Sequence, residues 1–151
     1  MVEVREIEGH IKIQHGSGEI NMRGLFATED IPKKTVILKL QGEYLPFPTQ
    51  TSIEIMKGKH IEDDFGAFVN HHCSPNSRIL CHFRDLMWLD NYVPSAAFHE
   101  SAKLKPVLLS ERDIKKGQEI NIDYNDTEYD IAVPFKCFCH NKTIKGKKYV
   151  K

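Results

Sequence analysis

Apolar residues in this chain recur in short alternating runs, at the spacing of β-strands rather than of helices. Five runs predict strands, at residues 2–7, 10–14, 35–40, 105–110 and 119–124. In the last run Ile120, Ile122 and Tyr124 share one face, because successive side chains of a strand point to opposite sides. No stretch keeps a helical period, so the sequence predicts a mostly-β domain.

Two further patterns lie between or across these strands. Residues 52–63, SIEIMKGKHIED, predict one short helix, which Gly58 weakens because glycine is a poor helix former. The segments EDIPKKTVI (29–37) and RDIKKGQEI (112–120) share an Asp-Ile pair, a basic turn and a strand. Because proline and glycine serve as turn residues in the two copies, the repeat predicts two similar hairpins.

The composition is that of an ordinary globular protein. Apolar residues make up 40% and charged residues 28% of 151 residues, a length that fits one domain. Lys and Arg total 21, as do Asp and Glu, so no net field favours nucleic acid or a membrane surface. No run approaches the ~20 apolar residues of a membrane span, and the acidic N-terminus is not a signal peptide. Four cysteines then predict reduced thiols in an intracellular protein, nuclear or cytoplasmic.

Four stretches carry residues suited to chemistry, in this order: RGLFATEDIPKKTVI (23–37), FVNHHCSPN (68–76), ERDIKKGQEINIDYND (111–126) and PFKCFCHNKTIKG (134–146). Together they resemble the signatures of the SET-domain family of protein-lysine methyltransferases. One such motif would be weak evidence, whereas four in the family's order are specific. The resemblance implies a β-clip, or SET, fold: several small sheets, short helices and a C-terminal pseudoknot in which the NHHC segment and the tail cross.

The resemblance also implies a division of the chain. N-terminal strands (1–19) lead into the SET domain (20–130), which is followed by a post-SET-like tail (131–151). The last ten residues hold five lysines and no acid. Such a weak basic tail could touch nucleic acid, but a frayed, solubilising end is the commoner reason for this composition.

In the family, S-adenosylmethionine binds on one face and the substrate lysine enters a narrow channel from the other. The resemblance assigns cofactor contacts to Arg23, Gly24, Leu25, Asn70, His71, Tyr124 and Phe138. Gly24 would allow close backbone approach to a ligand, and the Asn70 amide both donates and accepts hydrogen bonds. His71 would offer backbone groups to the adenine, whereas His72 is a bystander. Met22 stands where the family usually has glycine, so the methionine part of the cofactor would be held differently.

Tyr124 matches the family's catalytic tyrosine. The implied reaction is a direct displacement, in which a neutral amine attacks the sulfonium methyl. The amine must lose a proton despite an ordinary pKa of about 10.4, and burial beside a cationic cofactor lowers that pKa. Tyr124 would position the amine in an aromatic-walled channel rather than act alone as a strong base. Ile122 replaces the family's Phe or Tyr and brings no hydroxyl to hold a water, which argues against strict monomethylation.

The substrate class follows from charge and from the family. Five acids lie between Glu119 and Asp130 with no base among them, and they would attract a basic peptide. A histone-tail lysine is what the family suggests, with a ribosomal or other basic protein as the alternative. The oligomeric state stays open.

Three cysteines match three of the four thiolates that bind zinc in many family members: Cys73, Cys137 and Cys139. Ile144 stands in the fourth position, although a structural zinc needs four ligands. His140 or Cys81 could supply the fourth, or the cysteines could persist as small buried hydrophobes. The sequence therefore does not favour zinc.

Two other functions compete with the enzyme. A catalytically degenerate SET-like module would bind a peptide or partner protein, and Met22, Ile122 and Ile144 are departures that degeneration could produce. Against it, Asn70, His71 and Tyr124 are all present together, whereas drift would be expected to remove them early. A metal-binding structural domain built from the cysteines and histidines would leave the first and third stretches unexplained.

Overall fold

The computed structural model of the chain describes residues 1–7, 12–15, 18–56, 58–81, 106–132, 134–137 and 139–147. These residues form short strands: β1 (Val2–Glu6), β2 (Lys12–His15), β3 (Gly18–Asn21), β4 (Arg23–Ala27), β5 (Val36–Lys39), β6 (Gly42–Leu45), β7 (Ile53–Met56), β8 (Lys59–Asp63), β9 (Asn70–His71), β10 (Ser77–Leu80), β11 (Val107–Ser110), β12 (Glu119–Ile122), β13 (Phe135–Lys136) and β14 (Thr143–Ile144). Their helical structure is confined to a 3₁₀ turn (Gly66–Phe68) and one helix, α1 (Tyr124–Thr127). The prediction of a mostly-β fold with several small sheets is confirmed.

The sheet that carries the site has the strand order β1-β4-β12-β9. β4 pairs antiparallel with both β1 and β12, so that Leu25 lies opposite Val4 on one side and Ile120 on the other. β9 pairs parallel with β12, in a register that sets Asn70 beside Asn121. Leu25 and Ile120 are fully buried, because alternate residues of these strands face the core. Three motifs that are far apart in sequence therefore meet in one sheet.

The two repeated segments pair with each other rather than forming two separate hairpins. Ile31 and Ile114 form an antiparallel bridge, in which each N–H donates to the other's carbonyl at 2.7 and 2.8 Å. The aspartate before each isoleucine accepts a backbone N–H from the lysine turn of the other copy, at 2.8 and 2.9 Å. The two copies therefore hold the turn before β12 against the turn before β5 through reciprocal backbone contacts.

Residues 52–63 form a β-hairpin, so the predicted short helix is wrong. Gly58 lies in its turn with φ +79°, a left-handed conformation that glycine adopts without a Cβ clash. The buried residues Ile53, Ile55 and Ile61 follow the period of two that a strand requires. A short apolar run satisfies either period, and pairing in the β6-β8-β7 sheet decided between them.

The core joins these sheets through fully buried aliphatic side chains: Leu25, Ile31, Ile55, Ile61, Leu108, Ile114, Ile120 and Ile122. Each such side chain contributes about 1.5–3 kcal/mol by leaving water. Tyr124 packs against the edge of this core, and Cys81 lies fully buried within it. Among the described residues, no helix has the length and apolar character needed to cross a membrane.

Candidate active site

Residues from two separate motifs converge where β9 and β12 end. His71 lies beside Ile122 in the parallel register, and Tyr124 follows two residues later. Asp123 ends the strand and caps α1, because its carboxylate accepts the N–H of Asn125 at 2.9 Å. The strand predicted to reach residue 124 therefore stops at Ile122, and Tyr124 begins a helical turn.

Asn70 is held by two acceptors within the protein. Its Nδ2 donates to the Arg23 carbonyl at 2.9 Å and to Glu119 Oε2 at 2.8 Å. Both amide hydrogens are used in this way, so the amide oxygen is the atom that can accept a bond from a ligand. Burial raises the pKa of the Glu119 carboxyl, and the bond from Asn70 only partly offsets that rise. In the sequence Glu119 is one of a run of acids, and nothing local signals its inward contact.

The hydrogen bond between Asn70 and Glu119 explains why residue 24 is a glycine. A Cβ on Gly24 would lie 2.5 Å from Glu119 Oε2 and 3.1 Å from Asn70 Nδ2. The missing side chain therefore makes room for the contact between the amide and the carboxylate. Glycine here serves a contact inside the protein, in addition to the ligand approach that the resemblance implied.

The His71 ring connects its own motif to Tyr124 and to Cys73. Nδ1 accepts the Tyr124 N–H at 3.0 Å and lies 3.6 Å from Asp123 Oδ1, while Nε2 lies 3.2 Å from Cys73 Sγ. The side chain is 1% exposed. Burial lowers the pKa of the ring despite the opposing charge of Asp123, so the imidazole is neutral near pH 7. The sequence predicted only a backbone role for His71, and these ring contacts are additional to it.

The Tyr124 hydroxyl is aimed by a backbone carbonyl. It donates to the Val69 oxygen at 2.6 Å. Burial raises the pKa of the hydroxyl, and the charges of Glu128 and Glu119 raise it further. The group therefore stays protonated near neutral pH, which suits positioning better than proton abstraction. The ring also makes edge contacts with two neighbouring aromatic rings, at centroid distances of 5.4 and 5.8 Å.

A cavity of about 340 Å³ opens beside this tyrosine, within the size range of small-molecule sites. Asn70, His71 and Tyr124 line it. The lining also includes Met22, and residues to which the sequence assigned no contact, among them Thr51, Ile53, Glu128, Ile131 and Phe135. The predicted residues thus occupy one wall of a larger site.

Hydrogen bonds of threonine and serine side chains fix the conformation of residues 49–53, which form one wall of the cavity. Ser52 Oγ accepts the Thr49 N–H at 2.8 Å, and Thr49 Oγ1 accepts the Ser52 N–H at 3.0 Å. The Glu62 carboxylate accepts bonds from the hydroxyls of Thr49 and Thr51. This side of the cavity is therefore braced by hydrogen bonds to β8. A Thr-Ser pair three residues apart is the local signal that could have indicated such a turn.

Several predicted cofactor residues lie away from the cavity lining. Leu25 is fully buried in the core, and Gly24 lies against Glu119. The guanidinium of Arg23 lies 4.8 Å from the Phe68 ring centroid, and its Nε is buried without a hydrogen-bond partner. Phe138, the last of the predicted residues, falls outside the described residues.

Glu128 is a buried carboxyl at the cavity wall that the sequence did not single out. It is 7% exposed, and it follows α1 directly. Burial raises the pKa of Glu128 to about 7, outweighing the bonds from the Glu54 N–H and the Thr127 hydroxyl, which lower it. Its position four residues after Tyr124, on the same side of a helical turn, is the signal that could have found it.

We expect Glu128 to make the protein lose stability as the pH rises from 4.5 to about 7. The carboxyl has a pKa of 4.5 when unfolded and of about 7 when folded, so the folded state binds the proton more tightly across this window. The stabilisation from this proton is fully present below the pKa of the unfolded state, and it is lost as the pH rises through the pKa of the folded state. Urea unfolding at pH 4.5 and pH 8 checks this, with a steeper decline in the wild type than in Glu128→Gln. Equal declines in the two proteins would contradict it.

A second cluster lies behind His71 and brings together four atoms that can ligate metal. Cys73 Sγ lies 3.8 Å from Cys137 Sγ, and the Cys73 N–H donates to Cys139 Sγ at 3.3 Å. With His71 Nε2, the ligand atoms all lie within 4.8 Å of one another. Tetrahedral zinc, at about 2.3 Å from sulfur and 2.0–2.1 Å from nitrogen, sets its ligand atoms about 3.5–3.8 Å apart. The cluster is compatible with zinc after shifts of about an ångström.

The fourth group is neither of the two that the sequence offered. His140 is exposed and faces the ring of His72 at a centroid distance of 6.3 Å, and Cys81 is buried in the core. Ile144 is buried in β14. His71 was not considered as a metal ligand from the sequence, because the resemblance had already given it a backbone role in cofactor binding. A zinc-bound ring would carry its proton on Nδ1, where Asp123 Oδ1 lies 3.6 Å away, and would give up the bond from the Tyr124 N–H.

Comparison with known proteins identifies the family of the chain. A family profile described as SET domain matches residues 22–125. The chain is 26% identical over 142 residues to a histone-lysine N-methyltransferase of Arabidopsis thaliana, covering 82% of this chain and 7% of that protein. It is 24% identical over 159 residues to an H3 lysine-4-specific histone-lysine N-methyltransferase of Schizosaccharomyces pombe, covering 89% of this chain and 15% of that protein. The chain thus spans a small part of these relatives.

Solved structures show the same fold. A Plasmodium falciparum protein described as a candidate histone methyltransferase superposes with a TM-score of 0.52 at 15% identity, covering 82% of this chain and 96% of that one. The protein KRYPTONITE, in complex with mCHG DNA and SAH, gives a TM-score of 0.54 at 21% identity, covering 78% of this chain and 24% of that one. By its fold, its four ordered motifs and a family match over residues 22–125, the chain belongs to the SET-domain family of protein-lysine methyltransferases.

Proposed function

We propose that this chain is an S-adenosylmethionine-dependent protein-lysine N-methyltransferase that acts on a lysine of a histone tail or of another basic protein. The observation that carries the proposal is the convergence of Asn70, His71 and Tyr124 on one cavity. Two motifs far apart in sequence supply these residues, and a non-catalytic module would not require the tyrosine hydroxyl to be aimed inside the site. The relatives named as histone-lysine methyltransferases support the substrate class, and a histone substrate would place the enzyme in the nucleus.

The cavity wall that includes Asn70 suits the cofactor. S-adenosylmethionine supplies an activated methyl group on a sulfonium. The Asn70 amide oxygen would accept a bond from its ammonium group, because both amide hydrogens are already used. Met22 lines this site, whereas the neighbouring Arg23, Gly24 and Leu25 do not. Those three residues would therefore act through the backbone and through support of Asn70.

The remaining walls suit an alkyl amine. Val69, Ile122 and Ile53 line the cavity with aliphatic groups, and such burial lowers the pKa of an entering lysine. Tyr124 would restrict the amine to a line with the methyl group, and such orientation can supply a large part of the rate advantage of a displacement. Ile122 brings no hydroxyl to hold a water, and we propose that the product is not limited to monomethyl-lysine.

Fewer acidic side chains are exposed near the site than the sequence implied, so the electrostatic attraction of a basic peptide is weaker than expected. Of the five acids between residues 119 and 130, Glu119 and Glu128 turn inward and Asp123 caps α1. Asp126 and Asp130 remain exposed. Electrostatic attraction of a basic peptide would therefore rest on two acids near α1.

We also propose that Cys73, Cys137, Cys139 and His71 hold a structural zinc. The four ligand atoms are already gathered, and the chemistry of three thiolates with one imidazole is that of many zinc sites. Such an ion would tie the tail to the NHHC segment, because Cys73 belongs to one and the CFC cysteines to the other.

The test is transfer of label. The purified chain is incubated with S-adenosylmethionine carrying a radiolabelled methyl group and with core histones or a lysine peptide array. Labelled lysine confirmed by amino-acid analysis would support the proposal. Cofactor binding in calorimetry without transfer to any histone or peptide would instead favour the non-catalytic module.

We expect Gly24→Ala to weaken cofactor binding by about tenfold. The added methyl displaces the Glu119 carboxylate and so releases Asn70, and a hydrogen bond to a charged group is worth about 1.5–3 kcal/mol. Calorimetric titration with S-adenosylmethionine measures the loss. In a Glu119→Ala background the 2.5 Å contact is removed and the 3.1 Å contact with Asn70 Nδ2 remains, so Gly24→Ala should there have a smaller effect than in the wild type. Additive losses in the double variant would argue against this explanation.

A further inference from the structure

Glu128 lines the cavity, but neither cofactor binding nor the aim of the Tyr124 hydroxyl requires it. Among the described residues that line the cavity, Glu128 is the single carboxylate. Its N–H donates to the Tyr124 carbonyl at 2.8 Å, which closes one helical turn between them. Residues four apart in a helix project from the same side, about 5–6 Å from each other at Cβ. The carboxyl and the tyrosine ring therefore enter the cavity side by side.

The carboxyl is fixed by donors that do not neutralise it. Oε2 accepts the Glu54 N–H at 2.8 Å. The Glu54 carboxylate is occupied elsewhere, because it accepts the N–H groups of Tyr129 at 2.7 Å and Gly58 at 3.1 Å. Within the described residues, no lysine or arginine forms an ion pair with Glu128. Burying an acid without a countercharge is costly, so a cation that enters the cavity would find a ready partner.

We propose that Glu128 is the group that receives the target lysine: its carboxylate hydrogen-bonds the entering ammonium and takes up the proton that the amine must lose. This inference rests on the proposed function. An N–H bond of the ammonium breaks and an O–H bond forms on the carboxylate. The freed lone pair would then be available to take the methyl group that S-adenosylmethionine supplies, and Glu128 would return its proton to water after product release.

The setting of the carboxyl agrees with this role. Burial raises its pKa to about 7, so it is partly ionised at neutral pH and is a better proton acceptor than an exposed glutamate. The titratable groups that face it are Glu54 on β7 and Tyr124 on α1, and both are acids. Lys147 approaches only with its backbone N–H, at 2.6 Å from the Glu128 carbonyl. Lys136 also lines the cavity but forms no ion pair with Glu128 among the described residues, so a substrate ammonium would be the first cation to pair with this carboxylate.

The experiment compares two peptides that differ by one amine. A lysine peptide that the enzyme methylates is matched by the same peptide with norleucine, and both are titrated into the chain loaded with S-adenosylhomocysteine, so that no turnover occurs. We expect Glu128→Gln to reduce the preference for lysine over norleucine by about tenfold or more, with cofactor affinity unchanged. Glutamine keeps the size of the side chain and an oxygen for the Glu54 N–H. The matched control is Glu43→Gln on the exposed face of β6, which should retain the wild-type preference.

A second measurement needs no variant. In the wild type the lysine preference should rise several-fold between pH 6 and pH 8, as the carboxyl ionises and before free lysine does. In Glu128→Gln the acid limb of the kcat profile should also move to higher pH by more than one unit, which a purely structural role would not produce. A preference that is flat with pH, or identical in Glu128→Gln, overturns this inference while leaving methyl transfer by the wild type intact. Absence of any transfer by the wild type overturns the proposed function and this inference with it.

Discussion

Tyr124→Phe is expected to lower methyl transfer by about 100-fold or more while leaving cofactor binding nearly unchanged. The variant keeps the ring and its edge contacts but loses the hydroxyl that donates to the Val69 carbonyl at 2.6 Å. That hydroxyl belongs to a side chain that lines the cavity together with Asn70 and Glu128. Removing one aimed polar group from such a site typically costs about 10²–10³ in rate.

The measurement is kcat on a peptide substrate, together with calorimetric affinity for S-adenosylmethionine. The loss should appear in kcat, because the hydroxyl would aim the amine rather than bind the cofactor. Tyr44→Phe is a matched control, since that hydroxyl is on the partly exposed side chain of a β6 residue outside the cavity. Losing the Val69 bond should also cost about 1 kcal/mol of stability. A Tyr124→Phe variant with wild-type kcat would remove Tyr124 from the mechanism.

His71→Ala is expected to weaken zinc binding by at least about 100-fold, and His140→Ala to leave it unchanged. The two histidines are the matched pair that the cluster allows. His71 Nε2 lies with the three sulfurs within 4.8 Å, whereas His140 is exposed and faces His72. Elemental analysis after dialysis should find one equivalent of zinc per chain in the wild type and in His140→Ala. It should find a clear deficit in His71→Ala and in Cys137→Ser.

Removal of the metal should loosen the tail before it affects the core. The tail is held to the rest of the fold by the Cys73 N–H bond to Cys139 Sγ and by the Lys147 N–H bond to the Glu128 carbonyl. Structural zinc contributes about 10–16 kcal/mol in small zinc-binding peptides at pH 7, so chelation should lower Tm by about 10 °C or more. Cys137 also lines the cavity, and cofactor affinity should fall with the metal. Full zinc content in His71→Ala with loss in His140→Ala would reassign the fourth ligand.

The elements that sequence alone predicted well are those whose pattern is local. The strands around residues 2–7, 35–40 and 119–124 appear because side chains on a strand alternate sides with every residue. The hairpin at residues 52–63 was missed because its short apolar run fits two periods. Only pairing with β6 selects between them. The repeat did not indicate that its two copies pair with each other, because the local sequence of a segment does not specify which distant segment it will pair with.

The sequence identified the residues of the site, but it did not predict the contacts that their side chains make. Asn70, His71 and Tyr124 stand in motifs whose order is specific, so the family and the broad chemistry followed from the chain itself. The parallel register of β9 and β12 decided that the His71 ring meets both Tyr124 and Cys73. Tertiary packing likewise turned Glu119 toward Asn70 and Glu128 into the cavity. A carboxylate's identity is local, whereas its burial and its neighbours are set by contacts between residues far apart in the chain.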